Sequence, residues 1–364
     1  MKREAKFTVL LLAVIFFGFV ALCWINPSKE YSETERRKLS QFPKLTIESI
    51  AKGKFMEEFE DYSLDQFPLR DGFRSLKAWI SEYVFMKSDN NEIYVEEEYA
   101  VKMEYPLNED SIENAGEKFH GIYEKYLKGC SGDIYLSLIP DKNYFLADRS
   151  GHLSMDYDLF FDRMQGEMPY AEYIDIKDLL SIEDYYKTDV HWKQENIVDV
   201  ADRIGSAMGI TISRDFEKKE LEEKFYGVYF GQSALNLSGE KLYYLTNEHL
   251  DQCTVYNYEN NQSKGIYDLE KAAGEDLYEI FLSGPVSLMK IENPNARTEK
   301  ELIVFRDSFG SSLIPFLAEG YQSIVLVDIR YIQSEFLSNF VDFTDKDVLF
   351  LYSTVVLNHS ETMK

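Results

Sequence analysis

The sequence predicts an α/β fold: a mostly parallel sheet flanked by helices, with a β-rich insertion and an N-terminal transmembrane helix. Three observations predict it. Beyond residue 91, short apolar runs rich in β-formers alternate with stretches of helical period, the pattern of successive βα units. Residues 211–300 break that alternation with several short strand-like runs. Residues 7–25 form an apolar run of 19 residues, long enough to cross a bilayer core.

Composition narrows the function before any motif does. With 364 residues, 45% of them hydrophobic, and 26 Tyr and 25 Phe, the chain buries a full core and is not disordered. Its net charge of −25 argues against a nucleic-acid partner, because a phosphate backbone would be repelled.

The elements follow in order. Lys2, Arg3 and Lys6 precede the apolar run, which places that end in the cytoplasm and the body outside the cell. Residues 1–26 are read as an uncleaved anchor. A cleaved signal peptide is the competing reading, but there is no Ala-x-Ala site, and Leu22 before Cys23 is too bulky for a lipobox. Residues 27–90 read as a membrane-proximal linker with helices over 55–67, stopped at Phe67-Pro68, and over 73–85. The main domain spans 91–364. Strands are expected over 93–95, 99–101, 133–139 and 171–176, and helices over 111–127, 156–164 and 195–208. In the insertion, strands are expected over 241–245, 254–258, 279–281 and 286–291. Strands over 302–305, 323–327 and 348–352 follow, the last closing the sheet.

Two stretches carry chemistry. In Asp189-Val190-His191-Trp192 a carboxylate lies two positions before a histidine, close enough to hold Nδ1–H and leave Nε2 free as a base. The residues Phe305-Arg306-Asp307-Ser308-Phe309 read as strand, tight turn and helix start, with Ser308 at the bend. A serine there has unpaired helix-start N–H groups beside it, including its own, to stabilise an oxyanion. Pro315 should kink or interrupt that helix. Ser308, His191 and Asp189 are therefore the candidate nucleophile, base and orienting acid. The bland alternatives are an N-cap for Ser308 and a capped surface turn for His191.

Weaker candidates for substrate contact are Trp192, Lys142, Tyr229, Arg330 and Tyr331. Lys142 lies at a strand C-terminus, where open α/β sheets gather their sites, but an ordinary surface lysine is the favoured reading. Tyr229 sits in the aromatic loop 225–233, which either stacks on sugar rings or packs in a core. Gly227, Gly231 and Ser233 of that loop are candidate second oxyanion donors. Arg330, beyond a strand end, either binds an anionic group or forms a salt bridge. No Cys/His spacing suits zinc, no metal or cofactor is expected, and Cys130 and Cys253 read as unpaired thiols.

Three stretches together carry a family resemblance: Tyr185-Tyr186-x-Thr188-Asp189-x-His191-Trp192, Phe305-Arg306-Asp307-Ser308-Phe309 and Val327-Asp328-Ile329-Arg330-Tyr331. With Glu33-x-x-Arg36-Arg37 and Asp65-Gln66-Phe67-Pro68-Leu69-Arg70 upstream, they resemble the DHHW protein family. That family is related to the SGNH-hydrolase-like alginate O-acetyltransferase proteins of bacterial envelopes. Val190 departs from it, standing where the family's name motif carries a second histidine. The resemblance implies an SGNH-like catalytic domain and O-acetylation of an extracellular or cell-wall polysaccharide. It also implies a multi-pass membrane acyltransferase as acyl supplier. The residues leave transferase and esterase open, because one triad serves both. A non-catalytic, membrane-anchored scaffold or glycan-binding protein is the reading from another class.

Overall fold

The computed structural model describes residues 3–32 and 34–364; Lys2 and Glu33, named above, lie outside them. The chain divides into two compact units, residues 1–91 with 230–236, and residues 92–229 with 237–364.

The first unit begins with helix α1 (Arg3–Ile25). Its span Ala5–Cys23 has a mean hydropathy of 2.5, and a helix of this length and composition serves as a membrane anchor or a signal sequence. Strands β1 (Tyr31–Ser32) and β2 (Arg37–Lys38) pair antiparallel. Helix α2 (Ile47–Ala51) starts at a capping box built on Thr46 and Ser49. Helix α3 (Lys54–Asp65) ends just before Phe67-Pro68. Helix α4 (Arg70–Trp79) runs on through one π-helical turn, Ile80–Val84. Ion pairs hold this unit together. The Asp65 carboxylate receives Arg37 at 2.9 and 2.5 Å and the Ser40 N–H at 2.8 Å. Arg70 and Arg74 both reach Glu35.

In the second unit, β3 (Ile93–Glu96) and β4 (Tyr99–Lys102) form a hairpin. Helix α5 (Glu109–Ile122), β5 (Ile134–Ile139), α6 (Lys142–Ser150), α7 (Tyr157–Glu167), β6 (Glu172–Tyr173) and α8 (Val198–Ala207) follow. The insertion holds β7 (Glu217–Phe225), α9 (Val228–Ser233), β8 (Glu240–Thr246), α10 (Glu248–Asp251), β9 (Thr254–Asn257), β10 (Gln262–Lys264) and β11 (Leu288–Glu292). The chain ends with β12 (Glu301–Arg306), α11 (Gly310–Leu317), β13 (Ser323–Val327), β14 (Asp347–Ser353) and α12 (Thr354–Leu357).

Eight strands form one sheet in the order β10-β9-β11-β13-β12-β14-β5-β6. The run β13-β12-β14-β5-β6 is parallel, and β11, β9 and β10 extend it antiparallel. The mostly parallel α/β sheet predicted from the alternation is present. Its strands are buried on both faces, which is why they read as unbroken apolar runs. Leu302, Val304, Leu349 and Leu351 meet α8 and α11 on one face. Ile303, Phe305, Val348 and Phe350 meet α5 and α7 on the other.

The β-rich insertion is present, and its strands divide between two sheets. Only β7 and β8 pair apart, while β9, β10 and β11 enlarge the main sheet. Other expectations need correction. The strand expected over 279–281 is a 3₁₀ turn, Leu277–Ile280, whose Leu277, Tyr278 and Ile280 are all buried. A short apolar run fits either form, and packing chose the turn. The strand over 348–352 does not close the sheet; β14 lies in its middle, between β12 and β5. Pro315 sits inside α11, which ends two residues later at Leu317. Because β5, β12, β13 and β14 are parallel, their C-terminal ends open on one edge. That edge presents Asp141, Asp307, Ser308, Asp328 and Ser353 together.

Candidate active site

Ser308 stands where β12 stops. Asp307, fully buried, fixes the turn: Oδ1 accepts the Phe309 N–H at 3.0 Å, and Oδ2 accepts the Ser353 N–H at the end of β14 at 2.7 Å. The Gly310 and Ser311 N–H groups bond to the carbonyls of Asp307 and Ser308 at 3.2 and 3.1 Å. The helix-start donors at 309, 310 and 311 are thus consumed within the turn. Among the described residues, the Ser308 N–H is a donor of this turn to which no bond is assigned. The expected cluster of oxyanion donors reduces to that group. Arg306 is buried beneath the turn, beside Gly310, and its Nη1 donates to the Asp307 carbonyl at 3.3 Å.

The Asp189–His191 loop meets this turn. His191 Nε2 lies 2.7 Å from Ser308 Oγ, and Nδ1 lies 2.5 Å from Asp189 Oδ1. A carboxylate only accepts, so Nδ1 carries the proton and Nε2 accepts from the serine hydroxyl. Asp189 is itself buried, and its Oδ2 accepts the Val228 N–H at 2.8 Å. Thr188 adds two contacts to the same segment. Its Oγ1 accepts the Gly227 N–H at 2.9 Å, and its carbonyl accepts the Tyr229 N–H at 3.0 Å. The structure brings Ser308, His191 and Asp189 into one relay, an arrangement able to activate a serine for attack on a carbonyl.

Gly227 shows how tightly the loop is clasped. A Cβ there would lie 2.2 Å from Asp189 Cβ and 2.3 Å from its Cα. Only a residue without a side chain lets the two backbones approach this closely. Val190, at the position of the missing second histidine, is half-buried against apolar neighbours, and both imidazole nitrogens are engaged without it.

Other sequence candidates take different places. Trp192, a weaker candidate for substrate contact, is instead fully buried. Its indole N–H donates to the Phe309 carbonyl at 3.1 Å and Ser312 Oγ at 2.9 Å, so it braces the start of α11. Tyr229 is also buried, with the Lys142 ammonium 5.0 Å over its ring, and is no sugar platform. Lys142 is not a surface lysine: it is buried and donates to the Tyr186 and Lys187 carbonyls at 3.0 and 3.3 Å. Burial pushes its ammonium down to about 7, against the opposing pull of Asp189. Arg330 forms the salt bridge, with Nε and Nη2 on Asp328 at 2.9 and 2.6 Å, and Tyr331 beside it is exposed. The Gly227 N–H is spent on Thr188, and the Ser233 hydroxyl donates to the Phe230 carbonyl, so neither offers an oxyanion donor.

One residue escaped the sequence reading. The Tyr278 ring stacks on the His191 imidazole at 3.8 Å and 6° between planes, and its hydroxyl meets Ser312 Oγ at 2.8 Å. Nothing local marks Tyr278 among 26 tyrosines; only the 3₁₀ turn delivers it. Among the described residues, no group of three or more His, Cys, Asp and Glu side chains is placed to hold a metal ion. Cys130 and Cys253 are free.

The mostly parallel sheet flanked by helices is of the SGNH-like α/β class, and it carries the serine at a strand-to-helix bend. The DHHW resemblance read from the sequence is borne out within that class: the model of the DHHW protein family matches residues 173–327, which include Asp189, His191 and Ser308. A DHHW family protein from Eubacterium siraeum superposes with a TM-score of 0.61 at 17% identity, over 75% of this chain and 95% of that one. Bacillus cereus PatB1 carrying a sulfonyl adduct superposes with a TM-score of 0.56 at 20% identity, over 73% of this chain and 95% of that one. A second PatB1 structure gives 0.54 at 19% identity, over 73% and 96%. No curated protein matches the sequence.

Proposed function

We propose that this protein is an extracytoplasmic O-acyltransferase that moves an acyl group, most simply acetyl, to a cell-surface or exported polysaccharide through an acyl-serine. The continuous relay Ser308–His191–Asp189, with contacts of 2.7 and 2.5 Å, carries the reading. His191 Nε2 takes the Ser308 proton as Oγ attacks the donor's ester carbonyl, and Asp189 stabilises the imidazolium. The Ser308 N–H faces the developing oxyanion. The leaving alkoxide takes the proton from His191. An incoming sugar hydroxyl then gives its proton to His191 and attacks the acyl-serine, and the departing Ser308 Oγ takes that proton back from His191.

The PatB1 sulfonyl adduct supports the reading, since such adducts form at activated nucleophiles and the candidate here is Ser308. The family likeness suggests the polysaccharide acceptor and a multi-pass membrane acyltransferase as acyl supplier. The basic start and apolar span of α1 suggest a single-pass anchor with the body outside.

The test compares the full chain with Ser308→Ala and His191→Ala at equal folded concentration on a chromogenic acetyl ester. Each variant should lose at least about a thousandfold in kcat, as deletions within such a relay do. Added acceptor oligosaccharide should divert acetyl groups from water to sugar; an enzyme that releases only acetate is an esterase. If both variants match an active wild type, this relay is not catalytic.

A further inference from the structure

We propose that the helices following α1 form a second membrane contact: a lipid-facing surface, built by Leu64, Leu69, Phe73, Leu76, Phe85 and Met86, that lies in the outer interface of the same bilayer. The proposal rests on reading α1 as an anchor.

Each of these helices buries charge at one position and exposes apolar side chains beside it. Along α4 and its π extension, the inward residues are Arg74, Ala78 and Ser81, with Arg74 paired to Glu35 at 3.2 Å. Leu69, Phe73 and Leu76, which share another face at helical spacing, are left exposed. Leu76 is 51% exposed, Phe85 69% and Met86 85%. Helix α3 repeats the inversion: Asp65 is buried on Arg37, while its neighbour Leu64 is 62% exposed. Scattered apolar side chains at a surface are ordinary. A set at helical spacing beside inward Arg74 and Asp65 marks a surface suited to lipid, with Asp71, Lys77 and the α3 acids Glu57, Glu60 and Asp61 left exposed around it.

Continuity with α1 identifies that solvent. The Phe19 ring packs on Phe67 and Phe73 at 5.6 and 5.9 Å, and those two rings meet at 5.6 Å. Phe19 lies four residues before Cys23, the outer end of the apolar span. At 1.5 Å per residue, that places the aromatic junction about 6 Å inside the end of the span. Interfacial amphipathic helices bury their apolar face about 5–10 Å into the headgroup–acyl boundary. The exposed stripe of α4 begins at the same junction, so lipid that wets α1 wets it as well.

Depth measurements by spin label test this in the full-length protein, reconstituted into phosphatidylethanolamine–phosphatidylglycerol vesicles. Nitroxides are placed by Leu64→Cys, Leu76→Cys and Phe85→Cys in a background carrying Cys23→Ser, Cys130→Ser and Cys253→Ala. Phe16→Cys in the apolar span gives the lipid reference. Leu269→Cys, an exposed apolar site in the second unit, gives the aqueous one. The labels at 64, 76 and 85 should collide more with oxygen than with a water-soluble nickel chelate, as at 16 and opposite to 269. Labels that follow 269 while 16 remains in lipid overturn the lipid surface alone. Labels screened from both probes show protein covering the face, a second copy or another partner, and also overturn it. If the label at 16 itself behaves as in water, the anchor reading falls and takes this proposal with it.

Discussion

Replacing Gly227 by alanine perturbs the relay without touching any of its three side chains. The new methyl carbon would stand 2.2 Å from Asp189 Cβ, 2.3 Å from its Cα and 2.5 Å from its N. Carbon atoms settle at about 3.5 Å, so the two segments must part by about 1.3 Å. The Val228 N–H, now 2.8 Å from Asp189 Oδ2, is carried off with residue 227, and a buried carboxylate loses a donor. Overpacking costs about 1–3 kcal/mol and the charge-assisted bond about 1.5–3 kcal/mol. Part of the strain is relieved by the movement that breaks the bond, so a total of about 3 kcal/mol is expected. The catalytic effect should be larger than the stability effect suggests. A displacement of about 1 Å at the orienting aspartate rotates the imidazole away from Ser308 and lowers kcat roughly a hundredfold. The assay is kcat/KM on a chromogenic acetyl ester, with Ser308→Ala as the floor and a thermal melt to confirm folding. Gly227→Ala within twofold of wild type, with an unchanged melting temperature, would refute the claim that this glycine sets the position of Asp189.

Three further outcomes follow from the same geometry. Tyr278→Phe keeps the ring on His191 and loses the hydroxyl's contacts to Ser312 Oγ and the Ser308 carbonyl, so activity should stay within about fivefold, whereas Tyr278→Ala frees the imidazole and should cost tens-fold in kcat; equal activity of the two variants contradicts a stacking role. Lys142 has a folded value near 7, below its unfolded 10.5, so the unfolded chain binds the extra proton between those values and stability should rise with pH there. The rise is at most about 1.4 kcal/mol per pH unit, and urea midpoints of wild type minus Lys142→Met across that window should show it. Asp307→Ala removes the acceptor of both the Phe309 and Ser353 N–H groups and should destabilise by about 2–4 kcal/mol, read as a fall in melting temperature.

The relay was legible in the sequence because each half of it is local. One residue separates Asp189 from His191, and a strand signal leads directly into Ser308. The parallel strands were legible for a similar reason, since burial on both faces leaves continuous apolar runs. What could not be read are contacts made across the fold. Tyr278 reaches His191 from 87 positions away in sequence, by a turn whose apolar residues read equally well as a strand. Lys142 looked like any lysine at a strand end until the fold placed two carbonyls over it. Trp192 and Tyr229 misled because large aromatics with polar tips suit both a binding surface and a core, and only burial separates the two. The aromatic loop turned out to supply backbone N–H groups rather than rings.

The position of β14 bears on when the molecule can work. It lies between β12 and β5, yet it is synthesised after both. Until it arrives, the two strands flank a gap, and Asp307 has no Ser353 N–H to hold. A chain made only as far as α11 therefore holds its serine, histidine and aspartate before this clamp exists. The clamp on the turn that carries Ser308 is complete only once this late strand stands in the middle of the sheet. A chain halted before β14 lacks that clamp even though every residue of its relay has been made.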